Sequence, residues 1–299
     1  MSYNDHPVRV SVLIPTYNES QIIGGTLETL KRELESVGLS SYELIVLDDN
    51  SQDGTVEEAL KYANVSDHKI RVAEFSTRMG KGGSLKNGLK LARGKIVVFL
   101  DADLPVEVGK LAEMIGLVEQ GYGLIVSRRV YLRGGAYGLR RRVLSLGFNA
   151  LVRGLFRTGL ADHQVGLKAL RVDVAMMLMD QIRTDGFFFD TELIVNARKM
   201  GVRIGAVDVL WRDKRIANDS KVPPIRALIT MFADLLALRI SLINGRRLIG
   251  LTASDAGVLH DITCGVTVKA TRLYFSTKNR RFLNFLSKLY FLVLFGSHK

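Results

Sequence analysis

The sequence predicts an α/β protein with a mainly parallel central sheet covered by helices on both faces. Three observations predict it. Short apolar runs alternate with stretches of helical spacing through the first half of the chain. The runs are apolar throughout, as strands buried on both faces are. Polar clusters recur just past the ends of these runs, where an open parallel sheet forms its ligand crevice.

In order, Val8–Ile14 reads as a first strand, ending at Pro15. Ile22, Ile23, Leu27, Leu30 and Leu34 give residues 19–35 one apolar helical face. Tyr42–Leu47 is a second strand, followed by a helix that starts near Asp53 and runs through Tyr62. Ile70–Phe75, Lys95–Leu100 and Gly123–Ser127 are further strands, and helices are expected over 84–92 and 106–119. Farther along, helical patterns cover 139–157, 191–200 and 225–243.

Charge narrows the function classes. The 299 residues carry 42 Lys and Arg against 30 Asp and Glu, a net charge of +12. The excess sits in residues 120–160, with eight Arg and no acid, and in 262–299, with seven Lys and Arg and no acid. Both segments are also apolar, a combination suited to a membrane surface, although a solvated basic face over a buried stripe gives the same pattern. No helix-turn-helix, zinc-finger or basic-aromatic RNA-binding pattern appears, so nucleic acid is not an expected partner. The single Cys264 excludes an internal disulfide and a multi-cysteine zinc site. The N-terminal residues lack the apolar core of a secretory signal, and charges interrupt every run long enough to span a bilayer.

Three acidic or polar turns follow strand ends: Pro15–Glu19, Asp48–Ser51 and Asp101–Asp103. Helix caps explain any one of them, since Asp and Ser favour that position; three in register point to a ligand rim. Gly80-Lys81-Gly82-Gly83-Ser84 is not a Walker A loop, and no Gly-x-Gly-x-x-Gly follows the first strand, which argues against dinucleotide enzymes. Two aspartates one residue apart beyond an apolar strand can hold Mg²⁺ or Mn²⁺, hard cations that share themselves between carboxylates and substrate phosphates.

Together the motifs of residues 11–19 (SVLIPTYNE), 47–55 (LDDNSQDGT) and 99–103 (FLDAD) resemble those of the inverting glycosyltransferases of family 2, which have the GT-A fold. Gly80–Gly83 with Ala92–Gly94, residues 162–168 (DHQVGLK), 189–193 (FDTEL), and Trp211 with 219–222 (DSKV) are similar to dolichyl-phosphate sugar synthases. The resemblance covers about residues 8–243. It implies transfer of glucose or mannose from a nucleotide sugar to a polyprenyl phosphate, with UDP-glucose favoured over GDP-mannose. It also assigns Pro15, Tyr17, Glu19 and Asp49 to the donor's base and ribose, and Asp101 and Asp103 to the metal and diphosphate. Lys81 is either a donor contact or a solvated loop charge. Asp190 is either a donor-sugar contact or a helix-capping, ion-paired residue.

A phosphate acceptor changes the chemical demand. A hydroxyl acceptor needs a general base, whereas a phosphate monoester, with a second pKa of about 6, is already ionised. Cations in forked geometry then hold the acceptor. The family likeness assigns Arg128, Arg141 and Lys221 to this duty, with Ser145 beside them, and these three cations with Asp103 form the expected catalytic set. Arg129, Arg140 and Arg142 read as lipid-headgroup contacts or plain surface. Asp162, Gln164 and Lys168 read either as shaping the sugar pocket or as structural capping or ion-paired residues, and His163 as structural.

The expected organisation is a catalytic domain over 1–222, including the amphipathic helix 139–157 beyond a Gly134–Gly138 loop. An interface helix follows at 223–245, then a basic, apolar tail at 246–299 that serves as a peripheral anchor or oligomer contact. Each helix either rests in a membrane interface near the lipid tail or simply packs on the sheet. The expected location is peripheral, on the cytoplasmic face of a membrane. Two other readings stay open: a family 2 transferase acting on a sugar or protein hydroxyl, and a non-enzymatic basic protein binding membrane or nucleic acid.

Overall fold

A computed structural model describes residues 8–63, 69–104, 108–131, 139–211 and 224–244, and every structural statement concerns these. Lys221, the Gly134–Gly138 loop and the 246–299 tail lie outside them.

Seven strands form one sheet: β1 (Val10–Thr16), β2 (Tyr42–Asp48), β3 (Ile70–Glu74), β4 (Ile96–Phe99), β5 (Leu124–Tyr131), β6 (Lys168–Arg171) and β7 (Ile204–Trp211), in the order β3-β2-β1-β4-β6-β5-β7. Only β6 is antiparallel to its neighbours β4 and β5; the other pairings are parallel. The expected α/β class with a mainly parallel sheet is what the chain adopts. Strands β6 and β7 were not among the expected elements. The fifth strand runs to Tyr131, four residues past the expected Ser127.

The helices are α1 (Ile23–Ser36), α2 (Thr55–Leu60), α3 (Gly80–Leu89), α4 (Leu111–Glu119, after a short 3-10 turn), α5 (Leu139–Phe156), α6 (Val172–Met179), α7 (Phe189–Lys199) and α8 (Pro224–Asn244). Strand alternation sends Val12, Ile14, Leu44 and Val46 to one face, where Leu27 and Leu30 of α1 and Met114 and Val118 of α4 cover them. Leu13, Ile45, Val97 and Phe99 point the other way, onto Leu85 and Leu89 of α3, Leu178 of α6, and Phe189 and Leu193 of α7. A third apolar cluster joins Phe148 and Val152 of α5 to Phe188 and Val195 near α7, and to Leu235 and Leu238 of α8.

Where the strands begin, a buried polar network closes the lower edge of the sheet. Glu43 accepts from the Ser11 hydroxyl at 2.6 Å, the Arg93 backbone N–H at 2.7 Å and the Arg71 guanidinium at 2.9 Å. The Gly94 N–H donates to Ser11 Oγ at 2.8 Å, and a Cβ at Gly94 would lie 2.6 Å from the Ser11 nitrogen. The Ala92–Gly94 motif is therefore a packing feature at the opposite edge from the strand-end rim.

Candidate active site

The rim is built from the turns that leave β1, β2 and β4. Pro15 pairs in register with Leu47, so the first two turns emerge side by side. Asp48 is fully buried. Its Oδ1 accepts from the Ser51 hydroxyl at 2.6 Å and its Oδ2 from the Ser51 N–H at 2.8 Å, which ties off the second turn. The Glu19 N–H donates to Thr55 Oγ1 at 2.8 Å, stitching the first turn to the second. Asp48 thus serves the loop, while Asp49 faces the next element. Asp49 accepts the N–H of Met79 at 2.6 Å and of Gly80 at 2.8 Å, one on each oxygen, at the positive end of α3. A carboxylate oxygen has a second lone pair, so these bonds leave Asp49 able to accept from a nucleobase as well. Arg78 stacks its guanidinium 3.5 Å from the Tyr17 ring centre and lies 4.0 Å from Asp49. Arg78 belongs to this site and was missed in the sequence; its only signal was adjacency to the glycine loop.

The glycines of that loop have a steric cause. Gly80 has a φ of +79°, and a Cβ there would lie 2.6 Å from the Asp185 carbonyl oxygen. A Cβ on Gly82 would meet the Thr184 carbonyl at 2.8 Å and Phe189 at 2.9 Å. The loop packs directly on the turn before α7, held by the Gly82 N–H donating to the Asp185 carbonyl at 2.7 Å. This close approach brings Lys81 to Asp190 in the first turn of α7.

There a row of alternating charges runs from core to cleft. The Lys168 ammonium donates to Asp190 Oδ1 at 2.6 Å and to the Val165 carbonyl at 2.5 Å. The Lys81 ammonium lies 2.8 Å from Asp190 Oδ2 and 2.7 Å from Asp101 Oδ1. Side-chain exposure rises along the row, from 1% at Lys168 through 4% at Asp190 and 15% at Lys81 to 28% at Asp101. Antiparallel β6 explains the anchor. Its first residue, Lys168, pairs with Phe99 at the end of β4 and so arrives at the rim from above. Burial alone pushes the Asp190 carboxyl up, but the two ammonium groups outweigh it and hold its pKa below the usual range. Burial likewise opposes charge on Lys81, and its two carboxylate neighbours prevail, leaving its pKa raised. For Lys168 burial wins over the attraction of Asp190, and its pKa is lowered.

Of the expected donor residues, the structure thus brings Lys81, Asp101 and Asp190 together. Among the described residues no three acidic, histidine or cysteine side chains group as a metal cage. Asp101 and Asp103 supply hard oxygen donors, a set that fits a divalent cation shared with a diphosphate. The backbone makes room for the Asp101 carboxylate itself, since a Cβ on Gly166 would lie 1.9 Å from its Oδ2.

The end of β5 departs from expectation. Arg129 is not a surface or headgroup residue. Its side chain is 7% exposed and forks onto Asp162 at 2.5 and 2.9 Å, with a further bond to Ser145 Oγ at 3.1 Å. Ser145 is therefore in contact with Arg129. Arg128 points the opposite way along the strand, is half exposed, and forks onto Asp208 of β7, with Nη2 at 2.7 Å. Arg141 lies in the first turn of α5. His163 is structural, as expected: it is buried, and its Nδ1 donates to Asn149 Oδ1 at 2.8 Å while its Nε2 accepts from the Thr158 hydroxyl at 2.7 Å. Burial pushes its pKa down to about 4, so the ring is neutral. The two interface-helix candidates pack on α7 and on each other, yet leave Leu144, Leu146 and Leu236 exposed. Among the described residues no helix is long and apolar enough to cross a membrane.

The comparisons with known proteins agree with this architecture. Residues 11–177 match the family model "Glycosyl transferase family 2". The chain is 30% identical over 259 residues to the dolichyl-phosphate beta-glucosyltransferase of Drosophila melanogaster, covering 82% of this chain and 78% of that one. It is 34% identical over 232 residues to the glycosyltransferase AglD of Haloferax volcanii, covering 77% of this chain but 36% of that longer protein. Among solved structures it resembles mannosyl-3-phosphoglycerate synthase from Rubrobacter xylanophilus, with a TM-score of 0.61, 19% identity, and coverage of 81% of this chain and 77% of that one. Glucosyl-3-phosphoglycerate synthase from Mycobacterium tuberculosis, solved with Mn²⁺, UDP-glucose and phosphoglyceric acid, aligns with a TM-score of 0.59 and 23% identity, covering 78% of this chain and 79% of that one. These structures share the GT-A fold, and the chain belongs to glycosyl transferase family 2 as a glycosyltransferase.

Proposed function

We propose that the protein transfers a hexose, with inversion, from a nucleotide sugar to the phosphate of a polyprenol such as dolichyl phosphate. UDP-glucose is the favoured donor, in keeping with the dolichyl-phosphate beta-glucosyltransferases among its relatives. The observation that carries the reading is the state of Asp190. A carboxylate that deprotonates a hydroxyl acceptor works best with a raised pKa and an oxygen facing the acceptor. Asp190 has a lowered pKa, is buried, and has one ammonium on each oxygen. An acceptor that arrives already ionised removes the need for such a base.

In this reading an acceptor phosphate oxygen bonds to C1 of the sugar as the C1–O bond to the diphosphate breaks, its electron pair leaving with UDP. Asp101 and Asp103 would hold Mg²⁺ or Mn²⁺, which when bound offsets the charge developing on the diphosphate. Asp49, Tyr17, Arg78, Pro15 and Glu19 form the nucleoside end. Arg128, Arg141, Ser145 and Lys221 keep the acceptor-phosphate assignment that the family likeness gives them, with Arg128 exchanging Asp208 for the phosphate. In this reading residues 1–222 are the catalytic domain, 223–245 an interface helix and 246–299 a peripheral anchor or oligomer contact. The exposed leucines of α5 and α8 then meet the membrane on its cytoplasmic face.

Release of UDP from UDP-glucose with Mn²⁺ tests this. Release is expected with dolichyl phosphate in detergent and not with unphosphorylated dolichol, glucose or 3-phosphoglycerate. Equal release with dolichol or glucose would refute the phosphate acceptor, and equal release with 3-phosphoglycerate would refute the polyprenyl one. Stabilisation by GDP-mannose but not UDP-glucose in a thermal-shift assay would overturn the donor assignment.

A further inference from the structure

The cation that this structure places against Asp101 is the protein's own. Lys81 bridges Asp101 and Asp190 at 2.7 and 2.8 Å. The two ends of the row differ. Lys168 is locked by the Val165 carbonyl and by burial, so Asp190 keeps a partner whatever Lys81 does. The Asp101 end reaches the cleft, and Lys81 stands between Gly80 and Gly82 on a flexible stem. Asp101 is also one of the two carboxylates assigned to the divalent cation, and the inference rests on that reading. An ammonium and a divalent cation on the same carboxylate repel each other, so Asp101 cannot serve both at full strength.

We propose that Lys81 is a displaceable counter-ion. It neutralises Asp101 while the donor is absent, and exchanges Asp101 for a diphosphate oxygen when the nucleotide arrives with its cation. No covalent step is involved; one ion pair replaces another. The exchange couples the two ligands. A divalent cation alone meets an occupied carboxylate and binds weakly, whereas the nucleotide draws Lys81 away and frees that carboxylate. Lys168 is the positioning residue of the device, since it retains Asp190 when the Lys81 bridge opens.

Mn²⁺ titrations of the purified protein, read from the electron paramagnetic resonance signal of free aqueous Mn²⁺, test the proposal without turnover. The wild type is expected to bind Mn²⁺ weakly alone and more tightly with saturating UDP. Lys81→Gln is expected to bind Mn²⁺ alone roughly fivefold to tenfold more tightly, the scale of one part-buried neighbouring charge, and to gain less from UDP. Lys81→Met is the second variant and must behave alike. Lys86→Gln removes a charge from the same helix, where Lys86 pairs with Asp185 at 2.8 Å, and should leave Mn²⁺ affinity within twofold of wild type. Unchanged or weaker Mn²⁺ binding in both Lys81 variants overturns the proposal, as does equal tightening in Lys86→Gln. Asp103→Ala separates the two levels. If it abolishes Mn²⁺ binding, the metal assignment stands whatever Lys81 does. If it leaves binding intact, the metal assignment falls and the counter-ion proposal with it.

Discussion

The sheet carries one buried carboxylate network at each end, and the two differ in how they terminate. At the lower edge Glu43 is satisfied by Ser11, by the Arg93 backbone N–H and by Arg71. At the upper edge Asp190 is held between two ammonium groups, and the outer one touches Asp101 at the cleft. Both networks contain a family-like motif, Ala92–Gly94 below and Gly80–Gly83 above. The lower one ends in backbone and so only holds the edge together. The upper one ends at a part-exposed carboxylate, so a ligand arriving there would change the balance of the whole row. A buried acid becomes part of a site when its network is left open on one side.

The largest expected effect tests the upper network. Asp190→Ala strands two buried or part-buried ammonium groups and should cost about 3–5 kcal/mol, measured by denaturant unfolding. Replacing the inner pair together, Asp190→Leu with Lys168→Met, should recover much of that stability because no buried charge is left unpaired, yet turnover should stay low. Recovery of both would show the row to be structural only. The lower network gives the middle effect. Glu43→Gln should cost about 1–3 kcal/mol, because it weakens the bond to Arg71 and strains those to Ser11 and Arg93, while leaving Mn²⁺ affinity and the Michaelis constant for donor unchanged. A change in either constant would break the contrast between the two edges.

A third closed cluster, His163 with Asn149 and Thr158, gives the smallest effect and a pH signature. Its folded pKa, about 4, is depressed by burial below the unfolded value of about 6.5. The unfolded state therefore takes up the proton first, and stability falls as pH drops from 6.5 towards 4. The loss from this group should be about 1 kcal/mol between pH 7.5 and 5.5. Denaturation curves of His163→Gln should show a shallower slope in that window; an unchanged slope would assign the acid sensitivity elsewhere.

The sequence revealed the half of the fold whose strands are continuous apolar runs, and the three acidic turns that follow them. It concealed β6, four residues that begin with lysine and end with arginine, because its burial comes from the neighbours β4 and β5 and not from its own composition. Lys168 consequently read as a pocket-shaping or structural residue, with no sign that Asp190 was its partner. Ending the fifth strand at Ser127 hid the inward turn of Arg129: continued alternation through Tyr131 sends Arg128 out to Asp208 and Arg129 in to Asp162. The glycine loop was legible as a motif but not as a packing device, since its contact, the Thr184–Gly186 turn, lies about a hundred residues away. Lys81 and Asp190, each read with two alternatives, proved to be one ion pair.

Strand β6 has one more effect. The chain parts from β6 beyond Val126 on β5, stays paired with β7 through Tyr131, and re-enters the sheet at Lys168, the residue paired with Val126. The parting and the return are thus neighbouring rungs, about 5 Å apart, and the excursion between them is held besides by the Arg129–Asp162 fork, by His163 with Asn149 and by the packing of α5 on α7 and α8. Lengthening or reshaping such an excursion costs little, since closure entropy grows only slowly with contour length. Its length can accordingly vary while the row of Lys168, Asp190, Lys81 and Asp101 stays where the strands fix it.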